Sequence, residues 1–284
     1  MDCKATVESD MTSEQAFKNQ TVIITGASAG VGAACARTFA KLGANLVLVA
    51  RGQQALDLMT EELAPETQVL TVAMDVSDTN ACTNLIQKAI EKFGQINILV
   101  NNAGLHHRGE FKTRTPQEIA AMVDVDLRAP LQLTSEALPH ILQANSGAIV
   151  MVGSLAGRAP LQGAATYSAT KSGLRAFAYA LSDELRETNI KVGVVSPGPI
   201  DTGFIMDEID KVEDIVYSQP MSSAQQVADS VVKIVQGESV EIPMPWFSGK
   251  LTTIGYLFPS FRRLSRGLLY SIGRKNKDKY RKLK

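Results

Sequence analysis

The stretch TVIITGASAGVGAACARTFAKLG, Thr21 to Gly43, decides the fold. It reads as a strand of β-branched residues, a turn holding Gly26, Gly30 and Gly32, and a helix that opens on small side chains. The glycines are spaced by four and two, so this is not G-x-G-x-x-G, yet it meets the same physical need. Where side chains are missing, backbone amides from Gly26 through Ser28, Gly30, Val31 and Gly32 can approach a pyrophosphate, and the positive end of the helix favours its charge. A glycine turn alone is weak evidence, since it can be a tight turn and nothing more. At the first strand of a βαβ unit it points to a dinucleotide.

The next strand, NLVLVA, ends at Arg51, the position where an acidic residue would hold a ribose 2′-hydroxyl. A guanidinium suits a 2′-phosphate instead, so the expected cofactor is NADP(H), with Ser28 able to add a hydrogen bond. The competing reading of Arg51 is a solvated surface side chain. Further along, QVLTVAM, NILVNNA, GAIVMVGS, KVGVVSP and SVEIPMP complete seven near-continuous apolar runs of the kind buried on both faces of a parallel sheet. Helical patterns separate them. Strict alternation predicts an α/β fold: one doubly wound Rossmann-type domain over residues 21–245, a seven-stranded parallel sheet with helices on both faces. Residues 1–20 read as a polar lead-in. Residues 203–222 carry no strand pattern and are expected to cover a substrate. Residues 246–284 form an amphipathic C-terminal extension.

The chain has 284 residues, 45% hydrophobic and 20% charged, which is ordinary globular composition and excludes wholesale disorder. Three cysteines, Cys3, Cys35 and Cys82, are too few and too scattered for a disulfide framework or a thiolate metal site. Three histidines, His106, His107 and His140, give a metal centre little to build from and default to surface or helix positions. No metal is expected. The start lacks a secretory pattern and no run of about 18 apolar residues could span a bilayer, so the expected location is cytoplasmic.

In GSLAGRAPLQGAATYSATKSGL, Ser154 follows a strand, and Tyr167 and Lys171 lie one helical turn apart. At i and i+4 the phenol and ammonium share a face, and the cation should lower the phenol pKa toward neutrality. A tyrosine that shuttles a proton needs this, and Ser154 can hold a carbonyl oxygen beside it. The spacing alone is common by chance.

With these residues in place, the sequence resembles the short-chain dehydrogenase/reductase family over about residues 18–245. The motifs are TGASAGVG, DV at Asp75 and Val76, NNAG at Asn101 to Gly104, Ser154, YSATK, and SPGPIDT at Ser196 to Thr202. The resemblance implies an NAD(P)-dependent oxidoreductase in which Ser154 orients substrate, Tyr167 is general acid or base, and Lys171 binds the nicotinamide ribose. It also implies adenine contacts at Asp75 and Val76, sheet and cofactor support from Asn102, Ala103 and Gly104, cofactor contacts at Pro197 and Gly198, and nicotinamide carboxamide contacts at Ile200 and Thr202. A homo-oligomer follows from the same resemblance. One position departs: where the family usually has an asparagine holding a relay water, this sequence offers Asp126. A carboxylate can accept from the same water while attracting Lys171, or it can merely satisfy a backbone group.

The whole chain is neutral, 29 basic residues against 29 acidic. From Trp246 to Lys284, eleven basic residues face one acid, Asp278, so this segment carries +10 and the rest −10. Leu251, Ile254, Leu257 or Phe258, Phe261, Leu264, Leu268 and Ile272 recur at steps of three and four, interrupted at Pro259, which can open a second helix. An apolar helix followed by GRKNKDKYRKLK fits an interfacial anchor on anionic membrane through residues 251–284. The alternative is a tail packed on the body or across an oligomer; nucleic acid is not expected, because the body is acidic. The reading as a whole is an NADP-dependent reductase or dehydrogenase for an apolar, lipid-like carbonyl or alcohol. The competing class is a dinucleotide-holding scaffold recruited through its tail.

Overall fold

The computed structural model describes residues 15–282. Most of the expected lead-in, with Cys3, and the last two lysine-tail positions lie outside the described residues. Phe17, inside the expected lead-in, is buried against Phe39, so contact with the core begins before the first strand.

Seven parallel strands, β1 Thr21–Thr25, β2 Asn45–Ala50, β3 Val69–Ala73, β4 Ile98–Asn101, β5 Gly147–Val152, β6 Ile190–Pro197 and β7 Glu241–Met244, form one sheet in the order β3-β2-β1-β4-β5-β6-β7. Alternation along β1 shows why both faces had to be apolar. Val22 and Ile24 enter one core layer and Ile23 the other. Helices α1 Gly30–Lys41 and α2 Gln53–Leu63 cover the first layer, joined by a helix far along the chain, Ala224–Val235. Helices α3 Thr79–Phe93 and, beyond α4 Pro116–Val123, α5 Ala129–Gln143 and α6 Ala165–Glu184 bound the second. Chain order reverses between β1 and β4, which opens a crevice at the carboxyl ends of the strands.

The helical stretch from Thr115 to Gln143 is not one α-helix. A capping box of Thr115 and Glu118 starts α4, and a π turn, Asp124–Arg128, separates it from α5. Such a turn carries an extra residue and re-aims its side chains, often at functional sites.

Residues 203–222 hold a one-turn helix, Gly203–Met206, and short 3₁₀ turns that close over Ile205, Ile209, Val212 and Tyr217. After them come the helix Ala224–Val235 (α7), then α8 Trp246–Leu257 and α9 Pro259–Arg281. The far end of α9 is packed on the body. A Cβ at Gly273 would meet the Asp214 carbonyl oxygen at 1.9 Å, so only glycine allows this approach. Buried Lys277 donates to the Val212 carbonyl at 2.6 Å and to Asp214 at 3.1 Å; Asn276 donates to the Tyr217 carbonyl at 2.9 Å; Arg281 pairs with Asp210 at 2.6 Å. Part of the basic tail is therefore neutralised by the acidic segment it covers.

Candidate active site

The glycine turn is shaped as its chemistry requires. Gly26 and Gly30 have φ of +67° and +53°, and a Cβ on Gly32 would stand 2.1 Å from the Gly26 carbonyl oxygen. No side chain caps the start of α1 and no acid sits in its first turn, leaving its amides for an anion. These features fit a dinucleotide pyrophosphate. The NNAG segment braces the turn: the Asn102 amide donates to the Thr25 carbonyl at 2.7 Å, and the Thr25 hydroxyl accepts from the Asn102 and Ala103 amides, each at 3.0 Å. Thr25 itself carries no signal in the sequence beyond being a strand residue.

A cavity of about 840 Å³ occupies the crevice. Gly26, Gly30 and Val31 line it from the turn, Asn102, Ala103 and Gly104 from the end of β4, Ser154 from beyond β5, Tyr167 and Lys171 from α6, and Pro197, Gly198, Ile200 and Thr202 from beyond β6. Gly32, Ser28, Arg51, Asp75, Val76 and Asp126 do not line it. Arg51 is exposed directly after β2, beside exposed Asp75 at the end of neighbouring β3, and Val76 is buried. Hydrogen bonds from the Ser77 amide and hydroxyl hold the Asp75 carboxyl below its usual range, with a smaller pull from Arg51.

Ser154 caps a 3₁₀ turn, accepting from the Ala156 amide at 3.1 Å. The Lys171 ammonium donates to the Val152 carbonyl at 3.1 Å and lies 5.7 Å from the centre of the Tyr167 ring. Burial raises the phenol pKa above its ordinary value; attraction to Lys171 and a hydrogen bond with Ser154 offset only part of that rise. The expectation of a phenol drawn toward neutrality is corrected here, because desolvation outweighs the cation. At neutral pH Tyr167 carries its proton.

Asp126 is fully buried in the π turn. One oxygen accepts from the Leu105 amide at 2.8 Å and stands 4.0 Å from the Lys171 nitrogen; the other has no hydrogen-bond partner. The carboxylate is thus a backbone acceptor that also lies near the lysine. Burial raises its pKa more than Lys171 lowers it. A raised carboxyl favours the native state most when protonated, an advantage that is full below its unfolded value and lost as pH rises through the folded one. Asp126→Asn should thus gain melting temperature relative to wild type as pH increases. An unchanged difference between acid and alkaline melts would contradict this.

Two residues of the site were not singled out. His106, expected at a surface or in a helix, is stacked on Tyr167 with ring centres 4.2 Å apart and planes 7° from parallel. Burial, aided by the charges of Arg108 and Lys171, lowers its pKa to about 3, so the ring is neutral. Arg108 donates to its Nδ1 at 3.0 Å, which leaves the proton on Nε2. Arg108 also donates to the Phe204 carbonyl at 2.6 Å and to Glu208 at 3.2 Å, pinning the 203–222 segment from inside the cavity. The only sequence signal was their position just past NNAG.

The model of the short chain dehydrogenase family matches residues 20–213. Dehydrogenase/reductase SDR family member 7B of Bos taurus is 30% identical over 253 residues, 84% of this chain and 78% of that protein. Ketoacyl reductase HetN of a Nostoc species is 33% identical over 225 residues, 78% of this chain and 77% of that one. Among solved structures, a metagenomic short-chain oxidoreductase in complex with NADP superposes with a TM-score of 0.68 at 30% identity, covering 80% of this chain and 97% of that one. Fold, nicotinamide dinucleotide cradle and sequence agree: the chain is an oxidoreductase of the short-chain dehydrogenase/reductase family.

Proposed function

We propose that this chain is an NADP-dependent carbonyl reductase for an apolar, acyl-like substrate, with Tyr167 as the proton donor. One observation carries the substrate class. The cavity that begins at Ser154 and Tyr167 continues between the tail helices, where Phe247, Leu251, Phe261 and Leu269 form its far wall. An apolar chain entering there would leave water along its length, while its carbonyl reaches the two hydroxyls. The resemblance to a ketoacyl reductase supports the same class.

A nicotinamide cofactor held along Gly26, Gly30 and the NNAG segment would supply the hydride. Ser154 and Tyr167 hold the carbonyl oxygen, and Tyr167 gives its proton to that oxygen as negative charge develops there. Lys171, one turn along α6, stabilises the phenolate that results. Asp126 positions Lys171 from behind. His106 packs flat on the phenol and limits its ring to one orientation.

The panel that tests the reading is NADPH oxidation with aldehydes and ketones of increasing chain length. Turnover per KM should rise with apolar length; a preference for short, hydrophilic carbonyls would remove the claim. For the cofactor, a hydrogen-bonded charge pair is worth about 1.5–3 kcal/mol, so Arg51→Ala should raise KM for NADPH roughly 10- to 100-fold. KM for NADH should barely move. Equal effects on both coenzymes would mean that Arg51 does not read the 2′-phosphate.

A further inference from the structure

The tail helices leave an apolar surface uncovered. Leu264 is 86% exposed and Leu268 67%, and Trp246, Leu257 and Phe258 are each more than 60% exposed. Uncovered apolar side chains gathered on two consecutive helices mark an interaction surface. It is not the result of loose packing. Gly273, Asn276, Lys277 and Arg281 tie the opposite side of α9 to the 203–222 segment, which fixes the helix in rotation and points the leucines outward.

The same exposed face changes character along its length. Phe261, Leu264, Leu268 and Ile272 are followed at steps of three and four by Lys275, Lys279 and Lys282, all exposed. None of these three lysines makes an ion pair among the described residues, whereas Arg274, Lys277 and Arg281 do. On α8, exposed Lys250 lies over Trp246 at 4.8 Å, an aromatic and a cation side by side. A second copy joined symmetrically through this same face would bring no acid row to receive the lysines. A bilayer surface matches both halves: acyl chains for the leucines and aromatics, anionic headgroups for the lysines.

We propose that α8 and α9 dock this protein on the surface of an anionic lipid bilayer. Phe261 and Ile272 stand on the exposed face and also line the cavity, so docking brings the cavity mouth to the lipid. Docking stands on the surface alone; delivery of substrate from the membrane rests on the apolar-substrate reading.

Co-sedimentation of the full chain with phosphatidylcholine vesicles, with and without phosphatidylserine, tests docking without reference to turnover. Wild type should pellet with the anionic vesicles and be released as salt rises. Leu264→Glu/Leu268→Glu and Lys275→Glu/Lys279→Glu, all at exposed positions, should each weaken binding at least tenfold while their far-UV spectra and melts match wild type. Wild type remaining in the supernatant, or undiminished binding by both variants, overturns the proposal. So does self-association of wild type that Leu264→Glu/Leu268→Glu abolishes when no vesicle binding occurs, since the face would then be a contact between copies. Loss of the chain-length preference with vesicle binding intact would strike the substrate reading and leave docking in place.

Discussion

Tyr167→Phe should lower kcat for carbonyl reduction by roughly 10²- to 10⁴-fold, the range for removing a positioned general acid. NADPH affinity should stay near the wild-type value, because the cradle is built by the glycine turn and NNAG. The variant is a clean one. Phenylalanine keeps the ring that stacks on His106 at 4.2 Å and the helix face shared with Lys171, and deletes only the hydroxyl. Half-buried on the cavity wall, that hydroxyl holds its proton with a pKa above the ordinary tyrosine value. Stopped-flow NADPH binding and steady-state turnover separate the two effects. If Tyr167→Phe kept most of its turnover, the proton would have to come from elsewhere, and the Nε2 proton of His106 would be the first group to examine.

Glu241→Gln should be the most destabilising conservative change at any charged position of the body. The Glu241 carboxylate, at the start of β7, is almost wholly buried and receives four side chains: Arg175 at 2.8 Å, Arg158, Ser196 at 2.7 Å and Tyr179 at 3.0 Å. They come from α6, from the turn after Ser154 and from β6, so one carboxylate joins β7 to the elements that carry Ser154, Tyr167 and Lys171. Burial would raise its pKa, but the bonds from Arg175, Arg158 and Ser196 bring it down to about 2. Removing one member of such a cluster leaves charges buried without a partner, which costs about 3–5 kcal/mol. For a chain of this size that is a fall in Tm of roughly 5–8 °C at neutral pH. The depressed pKa sets the pH window. Stability from Glu241 is present above the ordinary carboxyl value of 4.5 and is lost as pH falls toward about 2. Wild type and variant should therefore converge in acid; parallel melting curves at all pH values would show that the cluster contributes nothing through its charge.

Much of this could be read from residue order. Apolar runs with β-branched residues, glycines at a strand end and a tyrosine and lysine four apart are local patterns, and local patterns survive any rearrangement of the rest. The place of Arg51 directly after β2 is legible for the same reason, being fixed by the end of its strand. His106 was assigned to a surface or helix because a lone histidine has no period and no motif; its contact with Tyr167 joins segments about sixty residues apart. The phenol pKa was read from one neighbour, Lys171, when burial by many distant groups sets its direction.

The order of residues alone determined the doubly wound sheet, the glycine turn, the placing of Tyr167 and Lys171 one helical turn apart, and a tail at once apolar and basic. Each is encoded in a period or a spacing shorter than a helix or a strand. Only the tertiary structure decided which tail cations are spent on Asp210 and Asp214 and which stay free, where a π turn aims Asp126, and that Glu241 gathers two arginines. Those outcomes depend on which charges meet across the sheet and the cavity, and electrostatic energy depends on distance and burial, neither of which exists until the chain has folded.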